Sequence, residues 1–236
     1  MEENRGEVIE MEVLGRDKTA QEIRVFRIKL DKEISPVFCF AVRLGIEGHA
    51  LTRPYSPISV AGRDIVCAIK IYTQIEGKEM LTPKIKDVKT GDFIRVLCYT
   101  KKIPISEILS PYKDIFMISA GTGITPMMQV LFKANQLETK HLFTSVSFNS
   151  SSEMIIFRDK QIYPHLNIAV TDIVSTDREK SLQKLEALIL PTISGTTLYL
   201  VCGTDSFVAD VAGERKGAFG GMLQRLGVAP SNCQKF

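Results

Sequence analysis

The sequence predicts an N-terminal antiparallel β-barrel followed by an α/β unit built on a parallel sheet. Three observations carry this. Up to about residue 110 the apolar residues come in short runs interleaved with charges and turn signals, and beyond Pro111 they come in continuous runs separated by helical stretches. At 236 residues the chain is also long enough for each half to bury its own core. The boundary is expected near residues 110–114, SPYKD, where a Ser-Pro step and a polar turn separate the two patterns.

In the first half, strands are expected over 7–14, 21–30, 36–42, 64–72 and 92–98, separated by turn-rich pieces such as GRDK, GIEGH, AGRD and KTGD. Ile23, Val25, Phe26, Ile28 and Leu30 alternate imperfectly with charged residues, as antiparallel strands with one wet face do. Short strands at this spacing suggest a small barrel. The second half reads as a strand over 114–120, a helix from Pro126 to about Leu137, strands over 141–148 and 167–174, a helix near 178–190, a strand over 196–202 and a final helical region. Its apolar runs suit a parallel sheet covered on both faces, the architecture of nucleotide-binding units. Leu182, Leu185, Leu188 and Ile189 fall on one face of the 178–190 helix and read as plain core. Residues 212–221, AGERKGAFGG, are too glycine-rich for one unbroken helix.

Composition narrows the functional classes. With 44% hydrophobic and 24% charged residues, this is the make-up of a folded, soluble globular protein. A net charge of +3, from 30 basic and 27 acidic residues spread through the chain, is too mild and diffuse for a nucleic-acid footprint, though a mildly basic surface suits an acidic protein partner. No apolar run approaches the roughly 18 residues of an intrinsic membrane segment. The opening MEENRGEVIE is acidic where a signal peptide is basic and then apolar. Five scattered cysteines (Cys39, Cys67, Cys98, Cys202, Cys233), without CxxC spacing, indicate neither a disulfide framework nor a metal site, so a cytoplasmic, reducing location is expected.

Three local patterns carry chemistry. In residues 118–129, ISAGTGITPMMQ, an apolar strand runs into Gly121-Thr122-Gly123 and a helix opens at Pro126. Glycines at a strand end let backbone amides approach a phosphate, and the helix N-terminus adds unpaired N–H groups; Pro suits the first helical turn. The spacing is G-x-G-x-x-P, not the G-x-G-x-x-G dinucleotide fingerprint, so a phosphate site and an ordinary strand-to-helix turn both fit. In Arg53-Pro54-Tyr55-Ser56-Pro57 the arginine is able to pair with a phosphate, the tyrosine to lie against a ring system and the serine to hydrogen-bond a ring nitrogen, although Pro-Tyr-Ser-Pro is also a common turn. Leu81-Thr82-Pro83 looks like a helix start with Thr82 as N-cap, which either receives a phosphate or merely caps a helix.

Taken in order, these motifs resemble the ferredoxin-reductase superfamily, and most closely its cytochrome b5 reductase branch. The resemblance rests on Arg53-Pro54-Tyr55-Ser56, Ile69-Lys70-Ile71-Tyr72, Leu81-Thr82-Pro83 before Gly91-Asp92, Gly121 to Pro126, and Cys202-Gly203, and it covers nearly the whole chain. Phe148-Asn149 followed by Ile155-Ile156-Phe157-Arg158 is similar to the reductase domain of the flavohaemoprotein that fuses cytochrome b5 to its reductase. The resemblance implies an FAD-binding β-barrel domain over 1–111 and an NAD(P)-binding α/β domain over 112–236. It implies that Arg53 binds an FAD phosphate beside Pro54, that Tyr55 packs along the flavin and that Ser56 lies near its N5. Ile69, Lys70 and Tyr72 are to border the flavin and ribityl chain, with Leu81 and Thr82 at the pyrophosphate and Thr125 close to FAD. Gly121, Thr122, Gly123 and Pro126 are to cradle NAD(P)H, with Cys202 and Gly203 beside the nicotinamide; a strand-ending cysteine is equally read as a small buried hydrophobe. Ser56 and Cys202 are the expected catalytic pair.

The pattern departs from the family at 96–106, which lacks a glycine turn, and at Cys202-Gly203-Thr204, where the family has C-G-P. Phe236 matches a family tendency to end on an aromatic residue near the flavin. NADH is slightly preferred over NADPH, since Asp172 lies near the position that repels a 2′-phosphate, although Arg178 and Lys180 follow it. Electrons are expected to pass from NADH or NADPH through FAD to a one-electron acceptor, cytochrome b5 or a fused haem domain, docked on Lys101, Lys102 and other barrel lysines. That acceptor would bring the chain to the ER surface. The alternatives are a reductase for an iron–sulfur or ferric acceptor, and a degenerate flavin-binding interaction module.

Overall fold

Phe26, Ile28 and Leu30 are almost fully buried while the intervening Arg27 and Lys29 are exposed, and this alternation sets the inner and outer faces of a curled antiparallel sheet. The computed structural model describes residues 2–19, 21–34, 41–98 and 105–236. The first sheet comprises β1 (Glu2–Arg16), β2 (Glu22–Leu30), β3 (Val42–Ile46), β4 (Thr52–Tyr55), β5 (Ser59–Ala61), β6 (Asp64–Ile71) and β7 (Phe93–Cys98). Its order is β4-β3-β7-β1-β2-β6-β5, and each paired ladder is antiparallel. Two register shifts bend β1, the longest strand, so the sheet curls into a half-barrel around Val8, Phe26, Leu44, Ile65 and Val96. Residues 36–40 of the strand expected over 36–42 lie outside the described residues. Between β6 and β7 sits α1 (Thr82–Ile85), and α2 (Ile105–Leu109) leads out of this half.

The second sheet comprises β8 (Asp114–Ala120), β9 (Leu142–Asn149), β10 (Asn167–Val174), β11 (Thr197–Cys202) and β12 (Cys233–Lys235), all parallel in the order β10-β9-β8-β11-β12. Both faces are apolar, as the continuous runs require. Ile115, Met117, Phe143 and Leu200 pack under α3 (Ile124–Gln136), which contributes Met127, Val130 and Leu131. On the other face Phe116, Ile118, Val146 and Tyr199 meet α4 (Arg178–Ile189) and α5 (Asp205–Ala212). On α4, Leu185 and Ile189 are fully buried and Leu182 partly so, but Leu188 is 36% exposed. It stands about 100° around the helix from Ile189 and falls off the edge of the buried stripe, which corrects its place in the core. The glycine-rich stretch breaks the last helical region as expected: α5 ends before Gly213 at φ 82°, and α6 (Gly221–Arg225) follows a turn.

The two sheets share a core. Ile23 and Ala68 of the first half are buried with Ile115, Met127 and Leu198 of the second, and Leu14, Val25 and Ile58 pack against that cluster. Arg158 ties the seam: its Nη2 donates to the Leu14 carbonyl at 3.4 Å and to the Glu153 carbonyl at 2.8 Å. Gly15 permits the approach, because a Cβ there would run into the Glu153 backbone carbonyl. Gly15→Ala should therefore lower unfolding stability by about 1–3 kcal/mol, the usual cost of overpacking against a fixed backbone. Chemical denaturation of the two proteins checks this, and a loss under about 0.5 kcal/mol, the range of ordinary surface changes, would contradict it.

Candidate functional site

Strand order places a crevice before any side chain is considered. From β8 the chain runs to β9 and β10 on one side and then returns to β11 on the other, so the topology switches between the carboxyl ends of β8 and β11. Ligands of open α/β sheets bind at such points. Here β8 ends in Gly121-Thr122-Gly123 and β11 in Cys202-Gly203.

These two turns touch. Gly121, at φ 53°, adopts a left-handed backbone that starts a single 3-10 turn running straight into α3. A Cβ on Gly123 would lie 2.5 Å from the Cys202 carbonyl oxygen and 2.8 Å from Gly203 Cα, and a Cβ on Gly203 would lie 2.6 Å from the Phe207 ring. Thr125 Oγ1 donates to the Thr122 carbonyl at 3.0 Å and closes the turn. After Gly203, Thr204 caps α5, its side chain accepting the Phe207 N–H at 3.3 Å. The departure from C-G-P thus supplies a helix cap and keeps the turn.

Facing these turns is the edge of the half-barrel. Gln129 of α3 donates from Nε2 to the Pro57 carbonyl at 2.9 Å in the buried seam, fixing the loop that follows Arg53, Pro54, Tyr55 and Ser56. The Arg53 guanidinium is exposed and makes one long bond, 3.3 Å to the Thr52 carbonyl, with no carboxylate in ion-pair range among the described residues. Burial pushes the Tyr55 phenol well above its ordinary range. Lys70 is half-buried with Nζ 5.4 Å from the centre of the Tyr72 ring, and burial lowers its pKa against the opposing pull of Asp17. Burial also raises the Tyr72 phenol.

Thr82 is not an N-cap. Leu81 occupies that position, and Thr82 opens the one-turn α1 with its hydroxyl accepting the Tyr72 N–H at 3.3 Å. The nearby backbone donor took the hydroxyl that sequence pattern alone assigned to capping.

One cleft of about 490 Å³ gathers these parts. Arg53, Pro54, Tyr55, Ser56, Lys70, Tyr72, Leu81 and Thr82 line it from the first half, and Thr122, Gly123, Thr125, Pro126, Cys202 and Gly203 from the second. Two expected residues do not line it. Ile69 is 1% exposed and turned into the half-barrel core, as strand alternation demands beside Lys70, and Gly121 stands one step behind Thr122. Ala68, Lys78, Glu79 and Met80 line the cleft without having been foreseen. Ala68 was open to reasoning, being two residues from Lys70 on the same strand face, whereas Lys78 to Met80 carry no motif.

Burial raises the Cys202 thiol pKa, with the Arg215 guanidinium beside it pulling the other way. A smaller cavity of about 190 Å³ lies nearby, lined by Ala120, Phe148, Ser175, Thr176, Arg178 and Thr204 among others. Arg178 is engaged by Asp210 and by the Ser206 carbonyl at 2.9 Å, Lys180 by Asp177 at 3.4 Å, and Asp172 accepts the Ser147 hydroxyl. The Phe236 N–H donates to the Val201 carbonyl at 3.0 Å, and the residue packs partly buried against the shared core. Lys101 and Lys102 lie outside the described residues. Among the described residues there is no cluster of three metal-ligating side chains, and no helix is long and apolar enough to cross a membrane.

An antiparallel half-barrel joined to a five-stranded parallel sheet, with a shared cleft at the switch point, matches the two-domain fold of the ferredoxin-NADP reductases. No family model matches the chain. It is similar to cytochrome b5 reductase 4 of Mus musculus, 28% identical over 130 residues, a match spanning half of this chain and about a quarter (24%) of that protein's length. It is also similar to an NADH-cytochrome b5 reductase-like protein of Arabidopsis thaliana, 27% identical over 258 aligned positions covering 97% of this chain and 76% of that one. Among solved structures, the CS-b5R domains of human Ncb5or in the NAD+ form superpose with a TM-score of 0.73 at 20% identity, over all of this chain and 69% of theirs. The structural likeness shows the fold, and the sequence relatives, at 28% and 27% identity, bear cytochrome b5 reductase names.

The two glycines of the β8 turn should respond differently to alanine. Gly121→Ala meets open space and carries only the left-handed backbone cost of roughly 1–2 kcal/mol, whereas Gly123→Ala drives a Cβ into the Cys202 carbonyl and forces the two turns apart. Thermal unfolding should rank Gly123→Ala as the more damaging, and the reverse order would contradict the contact.

Proposed function

We propose that this chain is an FAD-dependent NAD(P)H oxidoreductase, with residues 1–111 holding FAD and residues 112–236 the pyridine nucleotide. The observation that carries the reading is the single cleft in which the arginine-tyrosine-serine edge of one half faces the glycine and cysteine turns of the other. The residues present fit a flavin nucleotide. Arg53 offers a guanidinium with no carboxylate partner among the described residues, Lys70 is a half-buried cation, and Tyr55 presents a partly buried ring.

In this reading Arg53 with Pro54 holds an FAD phosphate, and Tyr55 lies along the flavin ring with Ser56 offering a hydroxyl near N5. Lys70 and Tyr72, with the Ile69 backbone, border the ring and ribityl chain; Leu81, Thr82 and Thr125 complete the flavin side. Gly121, Thr122, Gly123 and Pro126 bring backbone donors and the α3 N-terminus to the pyridine nucleotide, and Cys202 and Gly203 bound its nicotinamide. The bound flavin supplies the capacity to accept two electrons and release them singly. The protein's share is to hold both rings in register and keep water from between them. Burial raises the Cys202 thiol pKa, which favours its neutral form at that contact.

Two finer points complete the reading. Arg178 and Lys180 each stand beside a carboxylate, Asp210 and Asp177, which offsets their pull on a 2′-phosphate and supports NADH over NADPH. A one-electron haem protein such as cytochrome b5 is the proposed acceptor, in keeping with the names of the sequence relatives.

The test is an anaerobic visible spectrum of the FAD-loaded chain before and after NADH or NADPH. Bleaching of the flavin bands, faster with NADH, is the expected outcome. Flavin that binds but stays oxidised, or no uptake of FAD, would overturn the reading.

A further inference from the structure

The segment 213–220 lies between α5 and α6 and takes no part in either sheet, yet it is held more tightly than a surface connection requires. Lys235 of β12 donates from Nζ to three of its backbone carbonyls: Glu214 at 2.5 Å, Gly217 at 3.0 Å and Ala218 at 3.1 Å. Lys235 is itself placed by the parallel ladder that pairs it with Val201, one residue before Cys202. At the start of the segment, Gly213 at φ 82° turns the chain back, where a Cβ would lie 2.5 Å from the Ala218 carbonyl oxygen. The fold thus spends a lysine and a left-handed glycine on shaping one short loop.

What the loop delivers is Arg215. Its Nη2 donates to the Gly203 carbonyl at 2.6 Å and its Nε to the Asp205 carboxylate at 2.8 Å, bridging the last residue of the cleft turn and the first residue of α5. The Arg215 side chain is 28% exposed, against 90% for the Asp205 side chain it engages, so the arginine is the anchored partner of the pair. Its planar fork suits a carbonyl and a carboxylate held at fixed separation, which an ammonium does not reproduce. Gly203 is already constrained from the other side by Phe207 and Ala120, and Gly123 leans on the Cys202 carbonyl.

We propose that Arg215 is a positioning residue for the Cys202-Gly203 turn, and that Lys235 sets Arg215 in place through the 214–218 carbonyls. This rests on the oxidoreductase reading only for its kinetic consequence. The chain of contacts runs from Lys235 to the loop, from the loop to Arg215, and from Arg215 to the wall of the cleft where Cys202 stands. Misplacing that wall by a fraction of an ångström disturbs the alignment of groups bound against it.

Two readouts test the proposal on the full chain. The first needs no cofactor: the pH profile of Cys202 alkylation by iodoacetamide, read by peptide mass spectrometry so that the other cysteines do not interfere. Arg215→Met should move the midpoint to higher pH by removing the cation beside the thiol, Arg215→Lys should return it only in part because an ammonium restores the charge but not the two-point fork, and Lys235→Met should shift it in the same direction as Arg215→Met by releasing the loop. The second is the rate of flavin reduction by NADH, which Arg215→Met should lower roughly ten- to a hundredfold as alignment is lost. The double variant Arg215→Met/Lys235→Met should be no worse than Arg215→Met alone, because both changes act through one contact. Unchanged alkylation profiles in Arg215→Met, or additive effects in the double variant, would overturn the proposal. A wild-type chain that is not reduced by NADH would sink the oxidoreductase reading, and the alkylation profiles would still decide the role of Arg215.

Discussion

The buried hydrogen bond from Gln129 to the Pro57 carbonyl joins the two halves at the point on which the cleft depends. Gln129 sits on α3, whose N-terminus forms one wall of the cleft and whose apolar face covers the parallel sheet. Pro57 directly follows the Arg53–Ser56 edge that forms the opposite wall. A buried amide left without its acceptor costs about 1–3 kcal/mol, more than the bond contributes in net stability, so the pairing penalises other placements of the two walls more than it rewards this one. The shared apolar cluster around Ile23, Ala68, Met127 and Leu198 gives the same docking its non-directional adhesion.

Charge then gives the cleft its character. Arg53, Lys70 and Lys78 line it against one carboxylate, Glu79. Lys70 is the informative member, because burial works against its charge and Asp17 offsets that only in part. A half-buried cation at a cleft wall is what an anionic nucleotide would relieve, whereas a cleft built for an apolar ligand would gain nothing from it. The glycines complete the picture sterically, since the contact of Gly123 with Cys202 brings the ends of β8 and β11 closer than side chains would allow.

Much of this was legible in the amino-acid order. The change from broken to continuous apolar runs near residue 111 gave the two sheets, and fourteen of the sixteen expected site residues line one cleft. The failures have physical causes. Strands β4, β5 and β12 span four, three and three residues, too few for an alternation to show. The Thr82 hydroxyl matched a capping pattern in the sequence, and only the fold brings the Tyr72 N–H to it. Leu188 satisfied the helical period but lay at the edge of a stripe whose width tertiary packing sets. Arg215 and Lys235 carry no motif, because all their partners but the Asp205 carboxylate are backbone carbonyls, which every residue has, brought near by the turn at Gly213.

The central claim is that one cleft between the halves holds the flavin against the glycine and cysteine turns. A crystal structure of the chain grown with FAD and NAD+ tests it most directly. The account predicts density for the isoalloxazine ring along Tyr55 and Ser56, the FAD phosphates at Arg53, and the nicotinamide end of NAD+ against Thr122, Gly123 and Cys202. Flavin seated away from Tyr55 and Arg53, or nucleotide bound at a site that does not involve the β8 and β11 turns, would contradict it.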